Sequence, residues 1–118
     1  MHYAPGDIVI IMFPFSDLTG AKARPAIVVS NSIVNKTSDI ILAQITSTIH
    51  SDNLSFPLVK TSLKKPLEDN RQCEIRCHKV FCAEKAMVKK KISALTDEKV
   101  KELQQKMITL FDREVATS

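Results

Sequence analysis

Short β-branched runs bounded by proline, glycine and polar residues constrain this chain more than any other feature. Ile8-Val9-Ile10-Ile11-Met12-Phe13 follows the turn-forming Gly6-Asp7 and stops at Pro14. Ala26 to Ser30 and Ile40 to Thr46 are runs of the same kind. Leu54, Phe56 and Leu58 alternate with Ser55, Pro57 and Val59, and the embedded Pro57 makes that strand an edge. Residues 31–38 are polar and loop-like with room for one helical turn, Lys60 to Gln72 reads as a long loop, and Cys73 to Phe81 is a further strand region. The last segment changes period. Thr96 is an N-cap, Asp97-Glu98 supply first-turn charge, and Val100, Leu103, Met107, Leu110 and Phe111 fall on one helical face. Several short strands followed by one amphipathic helix predict a mainly β (α+β) fold, a small curved sheet or barrel with the C-terminal helix packed on it.

At 118 residues, 44% of them apolar, the chain is expected to be one domain, residues 1–118, with a real core. Its formal charge of +4 favours an anionic partner. With 5% aromatics and no Trp, a base-stacking platform is not expected. No stretch has the length of a membrane span and the first residues do not form a signal peptide, so a cytoplasmic protein is expected. Cys73, Cys77, His78 and Cys82 lie close in sequence, but alternation on a strand puts Cys73, Ile75 and Cys77 on one face and Glu74, Arg76 and His78 on the other. Buried thiols are expected there rather than a metal site, and no cofactor is expected.

Arg24-Pro25 is the most informative pair for chemistry. Pro25 fixes its own φ and drives Arg24 toward an extended conformation, so the guanidinium is held at the mouth of a strand. A permanently charged forked donor in that position suits a phosphate. Lys22 and one of the chain's 2 glycines, Gly20, precede it in a polar loop. Lys64-Lys65 and Lys89-Lys90-Lys91 read as solvated charge runs, and His50, past the end of its strand, receives no role.

Three segments stand in order: Gly6-Asp7-Ile8-Val9, Gly20 to Ser30 with Arg24-Pro25-Ala26-Ile27-Val28-Val29 inside it, and Leu42 to Ser47 ending Ile45-Thr46-Ser47. Together they resemble the MazF/PemK family of type II toxin-antitoxin endoribonucleases. Lys91-Ile92-Ser93-Ala94-Leu95-Thr96-Asp97-Glu98 ahead of the helix is similar as well. The resemblance implies an SH3-like barrel, a homodimer, an acidic antitoxin as partner, and metal-independent cleavage of single-stranded RNA. It puts the catalytic arginine at Arg24 and the hydroxyl at Thr46, with Ser47 adjacent. PemK-like members carry Arg-x-Asp on a later strand. Here Arg76 matches and His78 replaces the acid.

Such cleavage uses the substrate's own 2′-hydroxyl as nucleophile and leaves a 2′,3′-cyclic phosphate and a 5′-hydroxyl. The protein must orient the phosphate and stabilise charge growing on it. Arg24 and Thr46 suit that task. His78 either transfers a proton or is a strand-face histidine bonded to a neighbour. Lys22, Thr19, Gly20, Ser47 and Arg76 complete the expected RNA contacts. Two other readings remain: a non-catalytic nucleic-acid-binding barrel, and a CcdB-like toxin acting on a protein. The latter lacks its Trp-Gly-Ile tail here, since the chain ends Ala116-Thr117-Ser118.

Overall fold

A computed structural model describes residues 2–13, 22–67 and 72–113. Its elements are β1 (Asp7–Phe13), β2 (Lys22–Val28), α1 (Ser32–Asn35), β3 (Asp39–Thr46), β4 (Ser55–Leu58), β5 (Cys73–Glu84), β6 (Val88–Ala94) and α2 (Asp97–Thr109), with 3-10 turns at Lys60–Ser62 and Lys85–Met87. The strands form one six-stranded sheet in the order β4-β5-β3-β2-β1-β6, every pairing antiparallel. Pro57 does sit in an edge strand, where its missing N–H costs no ladder bond.

The sheet curls until its two edges nearly meet. Leu63, just past β4, bridges to Leu95, just past β6. Lys64 N–H donates to Ala94 O at 2.8 Å, Thr96 N–H to Ser62 O at 2.9 Å, and Ser93 Oγ to Lys65 O at 2.6 Å. These bonds tie an open sheet into a barrel-like shape, and they replace the structureless loop expected over Lys60 to Gln72 with an ordered seam as far as residue 65.

Alternation along the strands gives two apolar layers. Ile8, Ile27, Ala43, Ile45, Phe56, Leu58, Ile75 and Cys77 pack with Leu95 and with Leu103 of α2. Val9, Ile11, Phe13, Ala26, Val28, Ile40 and Leu42 form the opposite layer, with Phe81, Ala83 and Met87 against it. Helix α2 starts as expected: Thr96 Oγ1 accepts from Lys99 N–H at 3.3 Å, and Asp97 and Glu98 lie in the first turn. Val100, Met107 and Leu110 pack inward with Leu103. Phe111 does not. It lies beyond the C-cap Leu110 and is 73% exposed, because the helical period that placed it on the apolar face has already ended.

One further expectation is corrected. The second strand runs from Lys22 to Val28 rather than from Ala26 to Ser30. Pairing with β1 extends it backward through Lys22, and at its far end Val29 and Ser30 N–H both turn to Ile41 O, which ends the regular ladder. The lysine run 89–91 lies in strand β6, solvated as expected, with Lys91 Nζ 3.1 Å from Asp7 Oδ1.

Candidate functional site

The β2–β3 ladder pairs Val28 with Leu42, Ile27 with Ala43 and Ala26 with Gln44, and stops there. Pro25 has no N–H to carry a ladder onward. Beyond it a cleft of ≈ 490 Å³ opens, and Arg24, Pro25, Gln44, Thr46, Ser47 and Arg76 are among its walls. Continuing the register by two residues sets Arg24 across from Thr46, on the sheet face of Phe13 and Val28. The expected pair is therefore brought to one cleft by strand alternation alone.

Thr46 Oγ1 accepts a hydrogen bond from Thr48 N–H at 3.0 Å. This turn leaves the Thr46 hydroxyl hydrogen available as a donor. Arg24 is exposed and Thr46 half-buried, so charge and hydroxyl meet at an accessible wall. Lys79 and His50 also line the cleft. Its charged lining among the described residues is thus Arg24, Arg76 and Lys79, with no carboxylate, which is an anion-receiving composition.

Behind this wall lies an ionic network in which Glu74, Arg76 and Ser55 are buried and Asp52 is exposed. On β5, Glu74 stands opposite Thr46 and Arg76 opposite Gln44, and on β4 Ser55 stands opposite Arg76. Arg76 donates from Nη1 and Nη2 to the two carboxylate oxygens of Asp52 at 2.9 and 3.2 Å. Its Nη1 also reaches Ser55 Oγ at 2.6 Å and Glu74 Oε2 at 3.2 Å. The Ser55 hydroxyl bonds Glu74 Oε2 as well. The bond from Arg76 holds the Asp52 carboxyl well below its usual range, assisted by Ser55 and Leu54 N–H. Burial pushes the Glu74 carboxyl up, but bonds from Ser55, from the backbone of His50 and Ser51, and from Arg76 outweigh it, and the net direction is down. The Arg76 guanidinium is held further into its charged range, chiefly by Asp52.

Arg76 was expected to contact RNA directly. Its terminal nitrogens instead bind the loop after β3 to the sheet, and its buried Nε–H is the one group of this side chain without a partner among the described residues. His78 was expected to share the face of Arg76. It does not line the cleft. On β3, Ala43 pairs with Val80 while the next residue, Gln44, pairs with Arg76, so Cys77, His78 and Lys79 have no β3 partners. This bulge breaks the alternation, exposes His78 and brings Lys79 to the cleft. The same irregularity splits the thiols. Cys77 is buried, with burial pushing its thiol pKa up, Cys73 is half-buried at the cleft wall, and Cys82 is exposed. Lys22 is exposed at the start of β2, Ser47 lines the cleft, and Thr19 and Gly20 fall outside the described residues.

Sequence reasoning missed His50, Lys79, Glu74, Asp52 and Ser55. The last three are a polar triplet whose relation exists only once β4, β5 and the intervening loop are paired.

The family described as "PemK-like, MazF-like toxin of type II toxin-antitoxin system" matches residues 4–111. The chain belongs to this toxin family. Solved members share its fold at low identity. An "Endoribonuclease in complex with its cognate antitoxin from Mycobacterial species" superposes with a TM-score of 0.75 at 14% identity, covering 98% of this chain and 99% of that one. The Mycobacterium tuberculosis toxin MazF-mt6 gives 0.70 at 17% identity, covering 90% and 96%. The MazE-MazF structure (Form-II) from Deinococcus radiodurans gives 0.74 at 15%, covering 94% and 96%. No curated protein sequence matches significantly. No helix among the described residues is long and apolar enough to cross a membrane.

Proposed function

We propose that this toxin-family member is a sequence-specific endoribonuclease that cuts single-stranded RNA at the Arg24–Thr46 cleft. One observation carries the reading: Arg24 and Thr46 share a sheet face in a cleft whose lining among the described residues holds basic side chains and no carboxylate. A scissile phosphate there would receive the Arg24 fork on its non-bridging oxygens and hydroxyl donors from Thr46 and Ser47. The substrate's 2′-hydroxyl would be the nucleophile, giving a 2′,3′-cyclic phosphate and a 5′-hydroxyl without need of a metal. Lys79 adds positive potential, since the charge of Arg76 is already met by Asp52 and Glu74. Lys22, and His78 in the bulge beside Lys79, would meet RNA beyond the cleft. Because the cleft is basic, an acidic antitoxin segment would compete with RNA for it, and the toxin would work in the cytoplasm as a homodimer.

The test is incubation of purified protein with single-stranded RNA in excess chelator, followed by end-group analysis. Cleavage to cyclic-phosphate and 5′-hydroxyl ends is expected. A requirement for a divalent ion, or 3′-hydroxyl products, overturns the mechanism. Intact RNA together with toxicity in cells would point to a protein target.

A further inference from the structure

The Arg24–Thr46 pair is suited to holding a phosphate but lacks a group suited to receiving the 2′-hydroxyl proton, because a guanidinium does not deprotonate in this range. Of the side chains lining the cleft, His50 is the one imidazole. Its backbone N–H donates to Glu74 Oε1 at 3.2 Å, and its ring Nδ1 lies 3.1 Å from Thr48 O and 3.6 Å from Glu74 Oε2. Both oxygens are acceptors. A bare Nδ1 lone pair facing them would be repelled, so Nδ1 carries the hydrogen, and in the neutral ring Nε2 is left unprotonated. Glu74 cannot drift from this post. Its side chain is 4% exposed and is gripped by Arg76 and Ser55. The loop is shaped to match: Ser51 adopts φ 51, a left-handed conformation uncommon for a side-chain-bearing residue, and its N–H joins that of His50 on the Glu74 carboxylate.

We propose that His50 is the general base of RNA cleavage and that Glu74 is the residue that positions it. This rests on the cleavage reading above. Nε2 takes the 2′-hydroxyl proton as the bond from the 2′-oxygen to phosphorus forms. The bond from phosphorus to the 5′-oxygen breaks, and the departing 5′-oxygen takes a proton from water. The His50 imidazolium then returns its proton to solvent, so atoms and charge balance without another reactant. The charged groups around the ring are Glu74, Arg76 and Lys79 from β5, Arg24 from β2, and Asp52 from its own loop.

The decisive measurements are pH–rate profiles on a short single-stranded RNA in chelator, made in parallel for wild type, Arg24→Ala, His50→Ala and Glu74→Gln. His50→Ala is expected to lose about a hundredfold or more in kcat, with the rise in rate with pH abolished, and to regain activity when imidazole is added. Glu74→Gln is expected to lower kcat with KM unchanged. Ring-nitrogen NMR of the wild-type protein at alkaline pH provides a readout apart from activity: the Nδ1–H tautomer of His50 is expected, with the Nε2–H form appearing in Glu74→Gln. A His50→Ala protein with wild-type rate and profile, beside an inactive Arg24→Ala, overturns this inference and leaves the cleavage reading standing. A pH dependence lost in His78→Ala but kept in His50→Ala overturns it too, as does a wild-type His50 in the Nε2–H form. Wild-type protein that leaves RNA intact at every pH overturns the cleavage reading itself.

Discussion

Arg76 and Asp52 meet as a two-pronged pair, Nη1 to Oδ1 at 2.9 Å and Nη2 to Oδ2 at 3.2 Å, and this pair fastens the loop after β3 to the sheet. Folding holds the carboxyls of both Asp52 and Glu74 below their ordinary values of 3.8 and 4.5. The unfolded chain therefore binds protons in acid that the folded chain refuses, and stability falls as pH falls. The urea midpoint is expected to stay level from about pH 7 to 5 and to decline below about 4.5, with a shallower decline in Asp52→Asn. A midpoint that rises on acidification would contradict the network.

Arg24 is exposed and belongs to neither apolar layer. Arg24→Ala is expected to leave the thermal midpoint within a degree or so while lowering RNA cleavage roughly a hundredfold or more. Arg24→Lys restores the charge but not the fork, and recovers only part of the rate. Near-normal turnover in Arg24→Ala would move the active site elsewhere.

The three thiols differ enough in burial to be told apart in solution. Cys82 is exposed and is expected to react with an alkylating reagent in the native protein, whereas Cys77, fully buried with its thiol pKa raised, reacts only on unfolding. Mass spectrometry of timed labelling reads this order directly. Cys77→Ala is expected to cost about 1 kcal/mol.

Gly6 has φ +97, and a Cβ there would stand 2.5 Å from Val100 Cγ2 of α2. Gly6→Ala therefore meets both backbone strain and a steric clash, and should cost about 2 kcal/mol or more. Adding Val100→Ala removes the clash but not the strain. A double-mutant cycle of urea midpoints should thus show recovery of part of the loss and not the whole.

Local signals were strong enough to mark β1, β3, β4 and the start of α2. Ile8 to Phe13 and Ile40 to Thr46 carry β-branched residues with proline or polar boundaries, and Thr96 caps its helix by its own side chain. Strand β6 was not legible, because Lys89-Lys90-Lys91 has no apolar alternation and owes its conformation to pairing with β1. The site divides the same way. Arg24 and Thr46 were readable because a proline and a strand end hold them. The placement of His50 was not, since it is set by a carboxylate 24 residues away in sequence. The displacement of His78 was equally hidden, because nothing in Arg76-Cys77-His78-Lys79 announces that β3 will skip past it.

That skip acts like a change of reading frame within one strand. Before it, Glu74 and Arg76 point to the face of Gln44 and Thr46, and after it Phe81 and Ala83 occupy that face, although their numbers have opposite parity. The break in alternation inside this bulge is what allows a single strand to serve the polar site with one half and the apolar layer with the other. Deleting one residue from Cys77–Lys79 would leave two, across which plain alternation already sets Phe81 on the face of Arg76, whereas deleting two would leave one, which still needs a local break. Loss of a single residue at this point should therefore be tolerated better than loss of two, a constraint on the chain that no single substitution would reveal.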